Sequence, residues 1–570
     1  MEKKRVRSAR LSRREFLHAA GVIGAGLVIS ACATPTPSPE AKVETPVPSP
    51  SPTPLPTPTD TPAPTPTVLR GEKPGLAPGM IGGPTGFEGA ERYQYGPDSP
   101  AGRAILALRD LPKDKKPEKL VVMHPAGAVG HWNVPFPENA PTAQQIFEEE
   151  TGIKLEVIAT NENEQFQKII QDVTTRAGQY DIYSFWGNNR GTLFEAGAFL
   201  ILDDLVAKYR PEWEEHYVGG QLTVESFNKY AGHYVCVSFD GDYQSWNYRI
   251  DLFEDPEEQK NFKAKYGWDL QWPETWEQLD QISEFFTRPE QNLLGCTDLR
   301  NPIWSLTNWI QRYASFANPA QMLFDPETGD ALINSEAGIK ATQEFADTMK
   351  YKSKDALSWG WPEQYNNMAA GGAAITCAFP NMPKFLDNPK NPDSKVVGKL
   401  RTGLSPGRII DGKLIRRTVW WPNITLAVSS QTKYPEAAYL FLQWADSSPM
   451  FTFMVGNPAG YYDPFQKQNF TDPVVVSSYH EYHVPTMIAS IEHSVPPLNL
   501  NGASEYETAL DNNLQAVLTG KKTAEQAMAD AAAEWNAITD RLGREKQIEA
   551  LKAQVAAHST VVDTPKIRKA

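Results

Sequence analysis

The feature that most limits the fold is a regular alternation of short apolar strands and amphipathic helices, which begins near residue 118. Residues 120–123 form a buried apolar run, and Thr142 opens a capping box that predicts a helix ending at Gly152. Residues 153–157 alternate as a strand, and residues 180–185 predict the next strand. Repeated strand–helix–strand units predict an α/β protein with helices on both faces of its sheets.

Ligands of such sheets bind in the crevice beyond the carboxyl ends of the strands. Three loops in that predicted position carry polar and aromatic side chains, and we expect the following residues to contact a ligand: Trp132, Asn133, Trp186, Asn188 and Asn381.

Residues 1–31 predict an export signal. Ser12-Arg13-Arg14-Glu15-Phe16-Leu17 resembles the twin-arginine motif, and the apolar run at 19–29 is too short for an ordinary membrane-spanning helix. Ile29-Ser30-Ala31-Cys32 resembles a bacterial lipobox, which implies cleavage before Cys32 and its acylation. The alternative is a chance Arg pair and a chance cysteine. We therefore expect an extracytoplasmic protein that is anchored to the lipid bilayer through Cys32.

Residues 32–117 are expected to form a linker and a lead-in. Residues 33–67 are dominated by Pro and Thr, a composition that cannot build a core and favours extended, disordered chain. Residues 68–117 are predicted to be poorly ordered, with one short helix near 104–109. Residues 546–570 are expected to form a C-terminal tail.

Charge and cysteine content exclude several classes of protein. Residues 1–31 hold seven basic and two acidic residues, so the rest of the chain is more acidic than its net charge of −14 and would repel nucleic acid. No run of 18 apolar residues occurs, which excludes a multispan membrane protein.

Besides Cys32 the chain has Cys236, Cys296 and Cys377, an odd number without zinc-site spacing. We expect no metal and no cofactor.

From residue 118 to 545 the chain resembles the family 1 extracellular solute-binding proteins of ABC importers, the maltose-binding-protein-like group. The resemblance is carried by seven segments in the family's order: 143–157, 178–182, 195–205, 246–253, 273–279, 434–442 and 521–527. Among them are the Leu202-Asp203-Asp204 turn and the Pro273-Glu274-Thr275-Trp276 helix start.

The resemblance implies a two-lobed, type II periplasmic-binding-protein fold with hinge segments between the lobes. The first lobe would combine 118–242 with 404–455, and the second 247–400 with 460–545. Chain crossings are expected near 240–246, 400–406 and 455–461. The protein would be a monomer that passes its solute to separate permease subunits and, through them, to an ATPase.

The remaining predicted ligand contacts lie at the first crossing and in Trp-rich loops. Asp240, Asp242 and Tyr243 lie where both lobes can reach one ligand, although a solvated turn is the alternative. For each Trp the alternative is a place in the core. The loop candidates are Trp304, Trp361, Trp420, Trp421 and Asn423.

Flat aromatic faces suit the C–H faces of a sugar ring, and carboxylates and amides suit its hydroxyls, so the pattern predicts a sugar or oligosaccharide ligand. Since adjacent strand residues point to opposite sides, we expect Trp421 to meet ligand and Trp420 to pack in the core.

Two other classes of protein remain open at this point. A secreted carbohydrate-active enzyme could use cleft carboxylates, and a structural surface lipoprotein would bind no ligand at all. Against an enzyme, the chain has no phosphate loop, no G-x-S-x-G motif and no Cys–His signature.

Overall fold

The architecture follows from two mixed β-sheets, each covered by helices. The computed structural model describes residues 73–316, 322–420, 423–492, 494–495 and 498–558, with Val561, Asp563 and Ile567. The predicted export signal, Cys32 and the Pro/Thr-rich segment lie outside these residues. In the described ranges, no helix combines the length and apolarity needed to cross a membrane.

The described strands, β1 to β15 in chain order, are Lys119–Pro125, Lys154–Thr160, Ile182–Trp186, Lys229–Tyr230, His233–Tyr234, Val237–Ser238, Ser245–Arg249, Leu294–Thr297, Ala373–Ala378, Leu400–Gly403, Gly407–Ile410, Lys413–Arg416, Thr418–Val419, Ile424–Val428 and Ser494–Val495.

The described α-helices, α1 to α22 in chain order, are Pro100–Asp110, Gly130–Asn133, Ala143–Thr151, Glu162–Thr175, Arg190–Glu195, Asp203–Tyr209, Trp213–His216, Gln221–Phe227, Ile250–Phe253, Pro256–Tyr266, Trp276–Phe286, Ser305–Ala314, Glu336–Asp347, Trp361–Ala369, Met382–Leu386, Pro435–Ala445, Ser448–Val455, Pro473–Tyr479, Val484–Glu492, Ala503–Leu518, Ala524–Leu542 and Arg544–His558.

The first sheet has five strands in the order β2-β1-β3-β14-β6. β1 runs parallel to β2 and β3, whereas β14 is antiparallel to β3 and β6. Every residue of β14 is buried, and β1 alternates only at its start, as expected for strands covered on both faces.

The second sheet has four strands in the order β10-β7-β9-β8. β7 is antiparallel to both β10 and β9, and β8 is parallel to β9. The chain leaves the first sheet after β6, enters the second at β7, and returns to the first at β14. The two sheets define two lobes, and residues 239–244 connect them in one direction.

Local sequence signals fix the helices as the sequence predicted. Thr142 and Gln145 form a reciprocal capping box at the start of α3, and Gly152 ends this helix in the left-handed conformation with φ 73°. Thr275 and Gln278 cap α11 in the same way. These signals place the first strands and helices near their predicted positions.

The lead-in contains the helix predicted near 104–109, but it is otherwise more ordered than the sequence predicted. Residues 73–117 include α1, whose Ala101, Ala104, Ile105 and Leu108 are fully buried. This stripe packs against α16 of the first lobe. The abundance of Gly and Pro around α1 conceals its apolar stripe, which buries enough surface to order the segment.

Residues 465–491 contact both lobes: Phe470, Val475 and Met487 belong to the same apolar cluster as Leu120 and Val122 of β1, while α18 contacts α15 and α19 contacts β10 of the second sheet. The assignment of 460–545 to the second lobe stays a prediction. The predicted C-terminal tail begins with α22, whose Ala550 is buried. Cys236, Cys296 and Cys377 are buried free thiols.

Candidate functional site

The first interlobe connection carries two carboxylates that are held by a tight backbone contact. Asp240 is fully buried, and its Oδ1 accepts hydrogen bonds from the backbone N–H of Gly241 at 2.9 Å and of Asp463 at 2.6 Å. A Cβ atom on Gly241 would lie 2.7 Å from the carbonyl oxygen of Pro464. Glycine therefore allows the two chain segments to touch, and this contact places Asp242 beside Asp463.

Asp240, Asp242 and Asp463 form an acidic cluster, in which one oxygen from each residue lies within 4.8 Å of the others. Asp463 accepts hydrogen bonds from Tyr479 Oη at 3.0 Å and from Asn381 Nδ2 at 3.2 Å. Asp242 is 7% exposed, so the acidic cluster is almost fully withdrawn from water.

Burial raises the pKa of all three carboxyl groups, because a charged carboxylate loses its hydration. Burial and then the charge of Asp463 raise the pKa of Asp240, and burial raises the pKa of Asp463 to about 7. Burial, and then the charges of Asp240 and Asp463, raise the pKa of Asp242. The raised pKa values favour the protonated forms of the acidic cluster.

Lys384 of α15 provides a buried cation next to the acidic cluster. Its Nζ donates to the carbonyl oxygens of Val455 at 3.4 Å and Gly460 at 3.3 Å. Burial lowers the pKa of Lys384 to about 8, whereas the charges of Asp463 and Asp240 oppose that shift. Lys384 therefore offsets part of the negative charge.

A fourth carboxylate reaches the same region from the first lobe. Glu162 is the first residue of α4, and it accepts a hydrogen bond from Tyr461 Oη. Burial raises the pKa of Glu162, and its charge in turn contributes to the raised pKa of Asp242.

An aromatic contact of three rings joins the ends of the two sheets. Trp186 ends β3 of the first sheet, and its ring meets that of Trp304 edge-on with centroids 6.3 Å apart. Trp304 also meets Phe379, which follows β9 of the second sheet, at 5.7 Å. Both Trp side chains are half-buried. The aromatic contact therefore lies where the lobes meet.

Polar atoms without partners lie beside the aromatic contact. Asn188 Nδ2 donates to Glu507 Oε2 at 2.6 Å, while Asn188 Oδ1 and Glu507 Oε1 are buried without a hydrogen-bond partner. Burial raises the pKa of Glu507 to about 8, so its carboxyl is mainly neutral at pH 7. These atoms can accept hydrogen bonds from a polar solute or donate hydrogen bonds to it.

Several predicted ligand contacts are brought together and others are not. Asp240, Asp242 and Asn381 meet in one cluster, and Asn423 donates through Nδ2 to the carbonyl oxygen of Asp240 at 2.8 Å. Tyr243, the next residue of the connection, is fully buried.

Two Trp residues among the ligand candidates lie in the core of the first lobe, and for Trp420 this is the place that the sequence predicted. Trp132 is fully buried, and its Nε1 donates to His124 and to Tyr462, each at 3.2 Å. Trp420 is fully buried against Phe227, with ring centroids 4.4 Å apart. Neither Trp can reach a solute unless its neighbours move.

The other predicted contacts lie nearer the surface or outside the described residues. Trp361, at the start of α14, is 39% exposed, and Asn133 is exposed in α2. Trp421 lies outside the described residues, so its contact with ligand stays a prediction.

Sequence reasoning did not single out Asp463, Lys384, Tyr479 or Glu162. Asp463 lies only two residues after the predicted third crossing, and this position is the sequence signal that could have identified it as a site residue. Lys384 and Tyr479 lie on helices without a recognisable motif, so only the fold places them beside the acidic cluster.

Two α/β lobes, a reversing connection and buried polar groups between the lobes are the architecture of a two-lobed solute receptor. Residues 132–449 match the sequence profile of the family described as bacterial extracellular solute-binding protein. The chain belongs to this family, whose members are the solute-binding proteins of ABC transporters and not enzymes.

Similar proteins bear out this assignment. A probable amino-acid ABC transporter periplasmic-binding protein, y4oP of Sinorhizobium fredii, is 22% identical over 462 residues, which is 77% of this chain and 93% of that protein. A solute-binding protein of Agrobacterium radiobacter, solved with ribitol, is 20% identical, with a TM-score of 0.59 over 74% of this chain and 98% of its own. The maltose-bound MalE3 of T. maritima is 16% identical, with a TM-score of 0.57 over 74% and 99%.

Proposed function

We propose that this solute-binding protein captures a sugar, oligosaccharide or polyol between its lobes and delivers it to the permease of an ABC importer. The observation that carries the proposal is the combination of the aromatic contact with unpartnered buried polar atoms at Asn188 and Glu507. Rings of this kind suit the C–H faces of a sugar, and the polar atoms suit its hydroxyls. Solved structures of similar fold contain ribitol and maltose, which supports the same class of solute.

Capture would proceed by hinge closure of the lobes 118–242/404–455 and 247–400/460–545. The expected binding residues are those of the acidic cluster and the aromatic contact, together with Asn188, Asn381, Trp361 and Trp421. The closed form would dock on separate permease subunits, which an ATPase drives.

A thermal-shift screen over sugars, oligosaccharides, polyols and amino acids tests the solute class. A solute at about 100 times its dissociation constant should add about 2.7 kcal/mol to the free energy of unfolding. Small-angle scattering should then show a more compact protein with that solute. Stabilisation by amino acids alone, or an unchanged scattering profile at saturation, would contradict the proposal.

Anchoring is a separate part of the proposal and rests on the lipobox at 29–32. Several acyl chains on a mature Cys32 would hold the protein stably at the membrane surface, where one chain would not. Cys32→Ala should abolish incorporation of labelled fatty acid. Continued labelling of this variant would show that the cysteine is not acylated.

A further inference from the structure

We propose that the acidic cluster binds a protonated amine carried by the solute, so that the solute class is an amino sugar or an amino polyol. The inference rests on the proposed function, since it concerns the same space between the lobes. It starts from an imbalance of three carboxyl groups against one lysine, which a neutral sugar would leave in place.

The imbalance follows from the groups that face one another. Asp240, Asp242 and Asp463 place three carboxyl groups within 4.8 Å of one another beside the ammonium of Lys384, and burial raises the pKa of each carboxyl, so the unliganded cluster keeps protons where a second cation could bind. Glu162 adds a further carboxylate from the first lobe. A buried charge without a partner is costly, and a ligand cation would offset that cost.

An unpartnered oxygen of Asp240 indicates that a hydrogen-bond donor is missing, independently of the number of carboxyl groups. Asp240 is fully buried; its Oδ1 accepts two backbone hydrogen bonds, but its Oδ2 has no hydrogen-bond partner. A buried carboxylate oxygen in this state requires a donor. An ammonium group has three N–H donors and a positive charge, which suits three carboxylates whose oxygens lie within 4.8 Å.

An organic ammonium fits this site better than a divalent metal ion. Ca²⁺ takes six to eight oxygen ligands and Mg²⁺ demands near-ideal octahedral geometry. Lys384 already interacts with Asp240 and Asp463, and a divalent ion would place two more positive charges beside its ammonium.

Calorimetry with matched pairs of solutes tests the proposal on the full chain. The pairs are glucosamine with glucose and glucamine with sorbitol, and N-acetylglucosamine serves as an uncharged amide of larger size. We expect the amine of each pair to bind at least tenfold more tightly than its neutral partner. Asp242→Asn should reduce that preference to less than about threefold, whereas the exposed Asp114→Asn should leave it unchanged.

Proton release provides a second readout that needs no variant. The groups facing the amine are Asp240, Asp242, Asp463, Glu162, Lys384, Tyr365, Tyr461 and Tyr479. An incoming ammonium should lower the pKa of the carboxyl groups around it and so displace a proton from them. The binding enthalpy of glucosamine at pH 7 should therefore depend on the ionisation enthalpy of the buffer.

The possible outcomes separate this inference from the proposed function. Equal or weaker binding of the amines, or Ca²⁺ that competes with glucosamine and binds more tightly, would overturn the inference and leave a sugar or polyol receptor. Failure of every sugar and polyol, charged or neutral, would overturn both.

Discussion

The acidic cluster and the aromatic contact lie between the same two lobes but are built in opposite ways. The acidic cluster is buried: Asp240 and Asp463 are fully buried, Asp240 Oδ1 accepts from backbone N–H groups, Asp463 accepts from Tyr479 and Asn381, and Asp240 Oδ2 has no hydrogen-bond partner. The aromatic contact is half-open, and Trp186 and Trp304 touch only edge-on. The comparison indicates that the acidic cluster affects both stability and recognition, whereas the aromatic contact affects mainly recognition.

The most direct test of this difference between the two regions is to remove the cation next to the acidic cluster. Lys384→Met keeps the chain length of the side chain but leaves the buried carboxylates without their cation. We expect the free energy of unfolding to fall by about 3–5 kcal/mol, measured by urea unfolding at pH 7.5. Adding Asp463→Asn to this variant should restore part of the loss, and the exposed Lys390→Met serves as the control. A loss below 1 kcal/mol would show that the acidic cluster does not depend on Lys384.

The next effect is a pH dependence of the unliganded protein. Burial raises the pKa of Asp463 from its ordinary 3.8 to about 7, so between these values the folded chain holds a proton that the unfolded chain has released. The free energy of unfolding should therefore fall as the pH rises from about 4 to about 7, by on the order of a few kcal/mol.

Urea unfolding at pH 5.5 and pH 7.5 checks this pH dependence. The wild-type chain should be more stable at the lower pH, and Asp463→Asn should show a smaller difference. Equal slopes in the two proteins would assign the effect to other carboxyl groups, such as Glu507, whose pKa burial also raises.

The aromatic contact should show the reverse pattern, with a large effect on affinity and a small one on stability. Trp304→Ala removes the ring that touches both Trp186 and Phe379. For a neutral oligosaccharide we expect a loss of about 1–3 kcal/mol in binding, or roughly fivefold to 150-fold in affinity, measured by calorimetry.

A matched variant in the core controls for indirect effects. Trp420→Phe lies against Phe227 away from the solvent, so it should lower the melting temperature and leave the affinity unchanged. If Trp304→Ala instead behaves like Trp420→Phe, the aromatic contact is structural.

The two regions were not equally accessible from sequence. Trp186 and Trp304 follow from local signals, because loops at strand ends carry them and Trp is rare enough to notice. Asp240 and Asp242 follow from their position at the first connection between lobes. Asp463 does not, because its proximity to Asp240 depends on the backbone contact at Gly241.

The same distinction between local and long-range information holds for the fold. The capping box predicted at Thr142 and the helix start that the family resemblance implies at Thr275 are both confirmed by the structure. In the lead-in, the helix predicted near 104–109 is present as α1, whereas the expected poor order around it was wrong, because the stripe from Ala101 to Leu108 packs on α16. Lys384 and Tyr479 illustrate the same limit within the site, since each meets the acidic cluster through tertiary contacts alone.

The smallest expected effect concerns Trp361, which is connected to the acidic cluster by a series of side-chain contacts. Its ring meets Tyr365 edge-on at 5.4 Å, and Tyr365 Oη donates to Asn381 Oδ1 at 2.6 Å, next to Asp463. With 39% of the residue exposed, the ring can add contact area only for a solute that extends beyond the acidic cluster. Trp361→Ala should therefore weaken a trisaccharide by about twofold to fivefold, leave a monosaccharide unaffected, and change the free energy of unfolding by less than about 0.5 kcal/mol.

Calorimetry with both sugars, beside Trp361→Phe as the conservative variant, measures this difference. An equal loss for both sugars would mean that Trp361 acts through Tyr365 and Asn381 on the acidic cluster itself. It would remove the distinction between the buried acidic cluster and the half-open aromatic contact.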